Sequence, residues 1–190
     1  MQEYLLPGTP SSQNLPLFIT AARDGTVWFT DANGQIGHLT AGGKVHELQP
    51  WTGSQPTFIT AGPDGNIWFT DLAAGRIGRA TLSGSVTAFR LAGAEELGLT
   101  ITAGPHRNVW FTELVGTSAS SSAAPRLGRI TPRGVVTEFE LPGKGSGGLD
   151  ITAGADGIPW FTEAVGGKPA NRVGRITPQG HVTEYPLPRA

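Results

Sequence analysis

The 190-residue chain has no cysteine, so neither a disulfide framework nor a thiolate metal site can hold it together. Charge is scarce: Asp, Glu, Lys and Arg make up 15% of residues and balance to a net −1. A nucleic-acid partner normally needs a basic stripe, and none is present. Long apolar runs are missing as well. Residues 1–15 contain Pro7, Pro10, Ser11 and Ser12 and no signal-like or membrane-spanning segment, so the default expectation is a cytoplasmic chain with no membrane partner. No window carries a 3.6-residue apolar period of useful length, which excludes long helices. Turn-forming residues, by contrast, are abundant, with 28 Gly and 15 Pro. Such a content suggests disorder when it is aperiodic, but here both residues fall at repeating positions. The chain reads as all-β.

One phrase is repeated four times. Thr-Val-Trp-Phe-Thr-Asp (26–31) returns as Asn-Ile-Trp-Phe-Thr-Asp (66–71), Asn-Val-Trp-Phe-Thr-Glu (108–113) and Ile-Pro-Trp-Phe-Thr-Glu (158–163). A period of 40 to 50 residues with short apolar segments between Gly-rich turns is that of propeller blades. In the second copy, Phe58-Ile59-Thr60-Ala61 reads as a strand, Pro63-Asp64-Gly65-Asn66 as a turn, and Ile67-Trp68-Phe69-Thr70 as the next strand. Arg76-Ile77-Gly78-Arg79 opens a third strand and Val86–Leu91 alternates as an outer fourth. This predicts a single β-propeller unit over 1–190, built from four four-stranded antiparallel blades at 16–49, 56–91, 99–142 and 149–188. Because strand side chains alternate, each Trp-Phe pair sends one ring toward each neighbouring blade, as core.

An outer-strand phrase also stands alone at 2–7 (Gln-Glu-Tyr-Leu-Leu-Pro), without a blade of its own. Four blades and an orphan strand predict a partial or half ring, which a second copy of the chain could complete as a homodimer. Open blade faces and unpaired edges need covering.

The sequence Ile-Thr-Ala-Gly-Pro-Asp-Gly-Asn-Ile-Trp-Phe-Thr-Asp (59–71), followed by Ile-Gly-Arg, a Pro-x-Gly turn and Val-Thr-Glu-Phe/Tyr-x-Leu-Pro, resembles the blade repeat of the virginiamycin B lyases, over essentially the whole chain. Members of known activity have seven blades. The resemblance implies a carbon-oxygen lyase: Mg²⁺-dependent opening of a type B streptogramin antibiotic by elimination at its ester, without water, and hence antibiotic resistance. In those lyases the catalytic histidines lie in a Pro-His-x-Ile phrase just before a blade's first strand. The matching positions here are Leu17, Thr57, Leu99 and Leu149. A base must reach the proton that it removes, so no catalytic residue is assigned, and a binding module for a small ligand, glycan or protein is the alternative reading.

A propeller usually binds on the end formed by the loops at 8–17, 50–57, 92–100 and 142–150, and by those at 31–35, 71–76, 113–126 and 163–172. The third blade adds an insertion at 116–124, and residues 143–148 read as a flexible Gly-rich connector. Asp31, Asp71, Glu113 and Glu163 put a carboxylate at this end of every blade. They read either as an acidic ring able to hold Mg²⁺, or as structural ion pairs with Arg79, Arg129 and Arg175; their repetition favours the second. Trp51, the one tryptophan outside the repeat, is either a stacking platform for a ligand or a cap over a seam between blades. Asp150 adds a further acidic group at the same end.

Overall fold

The computed structural model describes residues 15–73, 75–91, 96–115, 126–141, 146–165 and 172–188. The outer strand expected at 2–7 and the insertion at 116–124 lie outside them. The described residues form four antiparallel four-stranded sheets. The first contains β1 (Pro16–Ala21), β2 (Val27–Asp31), β3 (Ile36–Leu39) and β4 (Val45–Leu48). The second contains β5 (Pro56–Ala61), β6 (Ile67–Asp71), β7 (Arg76–Ala80) and β8 (Val86–Arg90). The third contains β9 (Glu96–Ala103), β10 (Val109–Val115), β11 (Arg126–Ile130) and β12 (Val136–Glu140). The fourth contains β13 (Ser146–Ala153), β14 (Pro159–Val165), β15 (Arg172–Ile176) and β16 (Val182–Pro186).

Each blade closes on itself through one aromatic-on-glycine contact. Phe69 stands opposite Gly78 across the β6–β7 ladder, and its ring occupies the space that a side chain at 78 would need. Phe29 does the same over Gly37, Phe111 over Gly128 and Phe161 over Gly174. The glycine of the hydrophobic-Gly-Arg step is therefore required by the ring facing it. On the opposite face of each sheet lies the tryptophan. Trp28 meets Phe69 in the first seam, Trp68 meets Phe111 in the second, and Trp110 meets Phe161 in the third.

Seams are also joined by polar contacts from one blade to the next. Thr30 Oγ1 donates to the carbonyl of Thr57 at 2.6 Å, and Thr70 Oγ1 to that of Leu99 at 3.0 Å. At the other end of the strands, Arg79 Nη1 donates to the Pro132 carbonyl at 2.5 Å and Arg129 Nη1 to that of Pro178 at 2.6 Å.

The sheets pack in chain order as an open arc. Ile19 is 71% exposed on the free face of the first blade, whereas the equivalent Ile59, Ile101 and Ile151 are 8%, 7% and 5% exposed inside seams. Trp160, on the free face of the fourth blade, is only half-buried, while Trp28, Trp68 and Trp110 are fully buried.

In two places strand replaces expected loop. β9 begins at Glu96 and β13 at Ser146, so parts of the 92–100 loop and the Gly-rich connector pair with extended second strands. Glu96 faces Val115, and Ser146 faces Val165, each beyond a register shift. The third and fourth blades thus carry a raised β-ribbon at the loop end.

Candidate functional site

The loop end is organised by the four repeat carboxylates, all buried. Asp31 Oδ1 accepts the backbone N–H groups of Asn33 at 2.8 Å and Gln35 at 3.0 Å, shaping the tight β2–β3 loop. Asp71 Oδ1 accepts those of Gln55 at 2.9 Å and Ala73 at 3.1 Å, and its Oδ2 accepts the Trp51 indole N–H at 2.7 Å. Glu113 and Glu163 stand opposite Arg126 and Arg172 in the ladders. Those arginines in turn bridge to outer-strand acids: Arg126 to Glu138 at 3.1 Å and Arg172 to Glu184 at 2.5 Å.

Among the described residues, Arg79, Arg129 and Arg175 make none of the expected ion pairs. The two arginines of Arg-x-Gly-Arg are three residues apart, so they face opposite sides of the sheet. The first shares a face with the carboxylate; the second shares one with the tryptophan. Arg79 lies over Trp68 at 5.7 Å, Arg129 over Trp110 at 5.7 Å and Arg175 over Trp160 at 5.8 Å. The structural partners at the loop end are the first-position arginines, which the sequence reading passed over.

Trp51 is a seam cap. Its ring stacks 5.8 Å from Phe69, the Arg76 guanidinium lies 5.4 Å from its centre, and it packs against the first seam. Asp150 is exposed, and its Oδ1 accepts the Ile151 N–H at 2.8 Å. It lines a shallow cavity of about 120 Å³ with Thr152, Trp160, Thr162 and Val173 on the free face of the fourth sheet. Trp51 and Asp71 are thus brought together, while Asp31, Glu113, Glu163 and Asp150 each remain with their own blade.

One functional group was missed in the sequence. Gln35 occupies in the first blade the position of Arg76, Arg126 and Arg172 in the others. Glu47, the counterpart of Glu138 and Glu184, therefore has no arginine, and its buried Oε1 has no hydrogen-bond partner. Burial, and then the Asp31 charge, push the Glu47 carboxyl above its usual range. The missing arginine in the Arg-x-Gly-Arg step is the signal that could have revealed it.

Metal-binding capacity can be tested against this geometry. Both Asp71 oxygens and one Asp31 oxygen are taken by N–H donors. Among the described residues, no three His, Asp or Glu side chains gather closely enough to hold an ion. Asp71 is therefore committed to holding its loops rather than to an ion.

Comparison with known proteins agrees with this architecture. The virginiamycin B lyase family model matches residues 119–190. The structure of the Staphylococcus aureus virginiamycin B lyase is 36% identical over 99% of this chain and 60% of its own, with a TM-score of 0.82. This chain is a β-propeller arc that resembles the virginiamycin B lyases. A catalytically inactive variant of the S. aureus lyase, solved with quinupristin, is 36% identical over 95% of this chain and 58% of its own, with a TM-score of 0.80. A streptogramin B lyase structure is 31% identical over 94% and 57%, with a TM-score of 0.77. No curated protein sequence matches the chain. The chain spans about 60% of the length of these lyases.

Two of the positions matching the lyase histidine, Thr57 and Leu99, belong to seam-forming backbone. The Thr57 and Leu99 carbonyls accept the threonine bonds from the preceding blade, and Leu17 sits at the free face of the first. The histidines lie elsewhere. His38 is stacked 4.7 Å from Trp28 and 4.9 Å from His46, and His106 and His181 occupy hairpin turns.

Proposed function

We propose that this arc is the ligand-holding part of a streptogramin-lyase-type propeller: its loop end receives a cyclic depsipeptide such as quinupristin, and the chain alone does not open the ring. The observation that carries this reading is that Leu17, Thr57, Leu99 and Leu149 stand where the lyases carry the catalytic histidine. None of these side chains can remove a proton. The partly exposed Trp51 ring, held over the first seam, offers an aromatic surface at the loop end for such a depsipeptide ring. Magnesium, which the family uses, would have to be held by groups other than Asp71, whose two oxygens already accept N–H donors.

Incubation with quinupristin followed by chromatography tests this. Elimination without water yields a linear isomer of unchanged mass, whereas hydrolysis adds one water. Binding seen by Trp fluorescence, with the cyclic compound recovered intact, is the expected result. A linear isomer would overturn the reading.

We infer further that two copies complete a ring head to tail. The free face of the fourth blade carries the same Trp, Arg and aromatic set that fills the internal seams, with Trp160 and Tyr185 stacked at 5.6 Å. The free face of the first blade carries Ile19 in the receiving position. Arg175 would then meet the 40–43 turn of the second copy, as Arg79 and Arg129 meet the turns at Pro132 and Pro178. Light scattering should give the mass of two chains; a one-chain mass rejects the paired ring.

A further inference from the structure

The third and fourth blades each set an arginine between acids. Arg126 lies opposite Glu113 in the ladder and bridges to Glu138 at 3.1 Å and to Glu140 at 3.9 Å. Arg172 lies opposite Glu163 and bridges to Glu184 at 2.5 Å. In the second blade Arg76 lies opposite Asp71, the outer acid is replaced by Ala88, and the guanidinium stands over Trp51 instead.

The first blade keeps both acids and lacks the cation. Strand register puts Asp31, Gln35 and Glu47 on one face, in the places of Glu113, Arg126 and Glu138. Asp31 is 2% exposed, and while its Oδ1 accepts two backbone N–H groups, its Oδ2 is buried without a partner. Glu47 Oε1 is likewise buried and unpartnered, so the neutral Gln35 amide serves neither oxygen. Burial, and then the charge of Asp31, raise the Glu47 carboxyl, which puts the two acids within electrostatic reach of each other. Among the described residues no Lys or Arg bridges to either acid.

This place reaches the surface. Gln35 and Glu47 are half-buried, and the arginines that fill the equivalent places in the third and fourth blades are 26% and 27% exposed. Two unpartnered acceptors beside a missing cation call for a donor that carries charge. A guanidinium has five N–H donors in one plane and can serve two carboxylates at once. A hard metal ion needs about six oxygen ligands, and among the described residues no third acid joins this pair.

We propose that the first blade binds a small guanidinium compound from outside the chain, held between Asp31 Oδ2 and Glu47 Oε1 in the place that the third and fourth blades give to Arg126 and Arg172. The site draws on one blade only and does not depend on antibiotic binding at the loop end.

Methylguanidinium is the probe, and methylammonium the control of equal charge without the planar fork, each added to the whole chain at constant ionic strength. The side-chain ¹³C carboxyl signals of Asp31 and Glu47 report binding. Methylguanidinium should shift both saturably and bring the Glu47 pKa down toward its ordinary 4.5, while methylammonium should shift them far less. Glu47→Gln leaves a single acid and should weaken the response at Asp31 about tenfold, the scale of one hydrogen bond between charged groups. Gln35→Arg supplies the guanidinium from within, so it should lower the Glu47 pKa without any probe and abolish the titration. Carboxyl signals that ignore methylguanidinium, that follow methylammonium equally, or that still titrate in Gln35→Arg overturn the proposal.

Discussion

The Trp51 indole donates to Asp71 Oδ2 at 2.7 Å, tying the one tryptophan outside the repeat to a carboxylate inside it. The same carboxylate holds the Gln55 and Ala73 backbone, so the loops on both sides of the seam hang on one residue. Asp71→Ala strands three donors and should destabilise by about 3 kcal/mol, whereas Trp51→Phe, which keeps the ring and loses one bond, should cost about 1 kcal/mol. Urea unfolding midpoints measure both.

Gly78→Ala puts a methyl group into the Phe69 ring and should cost at least about 2 kcal/mol by overpacking. Gly25→Ala meets no neighbour but sits at φ +83°, so its cost should be about 1 kcal/mol, from backbone alone. Thermal denaturation of the two variants separates packing from conformational strain.

Ile19 and Ile59 occupy equivalent positions with opposite burial. Ile59→Asp should unfold the chain. Ile19→Asp should leave the fold intact and convert the paired ring to single chains on size exclusion with light scattering. If the wild type and Ile19→Asp elute with the same one-chain mass, the paired ring is wrong.

Burial, and then the His46 charge, hold the His38 pKa below the ordinary 6.5. The unfolded chain therefore binds the proton first. Stability that is full above about pH 6.5 should fall as pH drops toward the lowered value, and His38→Gln should flatten that slope. Glu47 has the opposite sign. Its raised pKa means that stability present below its ordinary 4.5 is lost as pH rises through the folded value. Gln35→Arg gives Glu47 the partner that Glu138 and Glu184 have, and should remove this loss. Denaturant midpoints against pH, for the wild type and both variants, check the two signs.

The blade was legible because strand alternation leaves a Trp-Phe pair no choice but two faces, and four copies make the seams repeat. The arginines were misassigned for want of the same rule: counting three residues from Arg76 to Arg79 already puts them on different faces. Trp51 could be read as cap or platform because a loop residue has no period, and only packing against Phe69 decides it. The extended ribbons at Glu96 and Ser146 were hidden because Gly-rich sequence signals a turn while still allowing strand pairing. The unpaired Trp110 indole N–H emerges only when its turn is laid beside that of Trp68.

The arginine bridges from Arg79 to Pro132 and from Arg129 to Pro178 run in one direction along the chain. The second and third blades each give a cation forward, to a carbonyl of the third and fourth, so these bridges have a giving side and a receiving side, like hooks and eyes. Two giving ends cannot fasten to each other. Any assembly built through these faces must therefore circulate with a single sense of rotation, and it can grow only by whole blades.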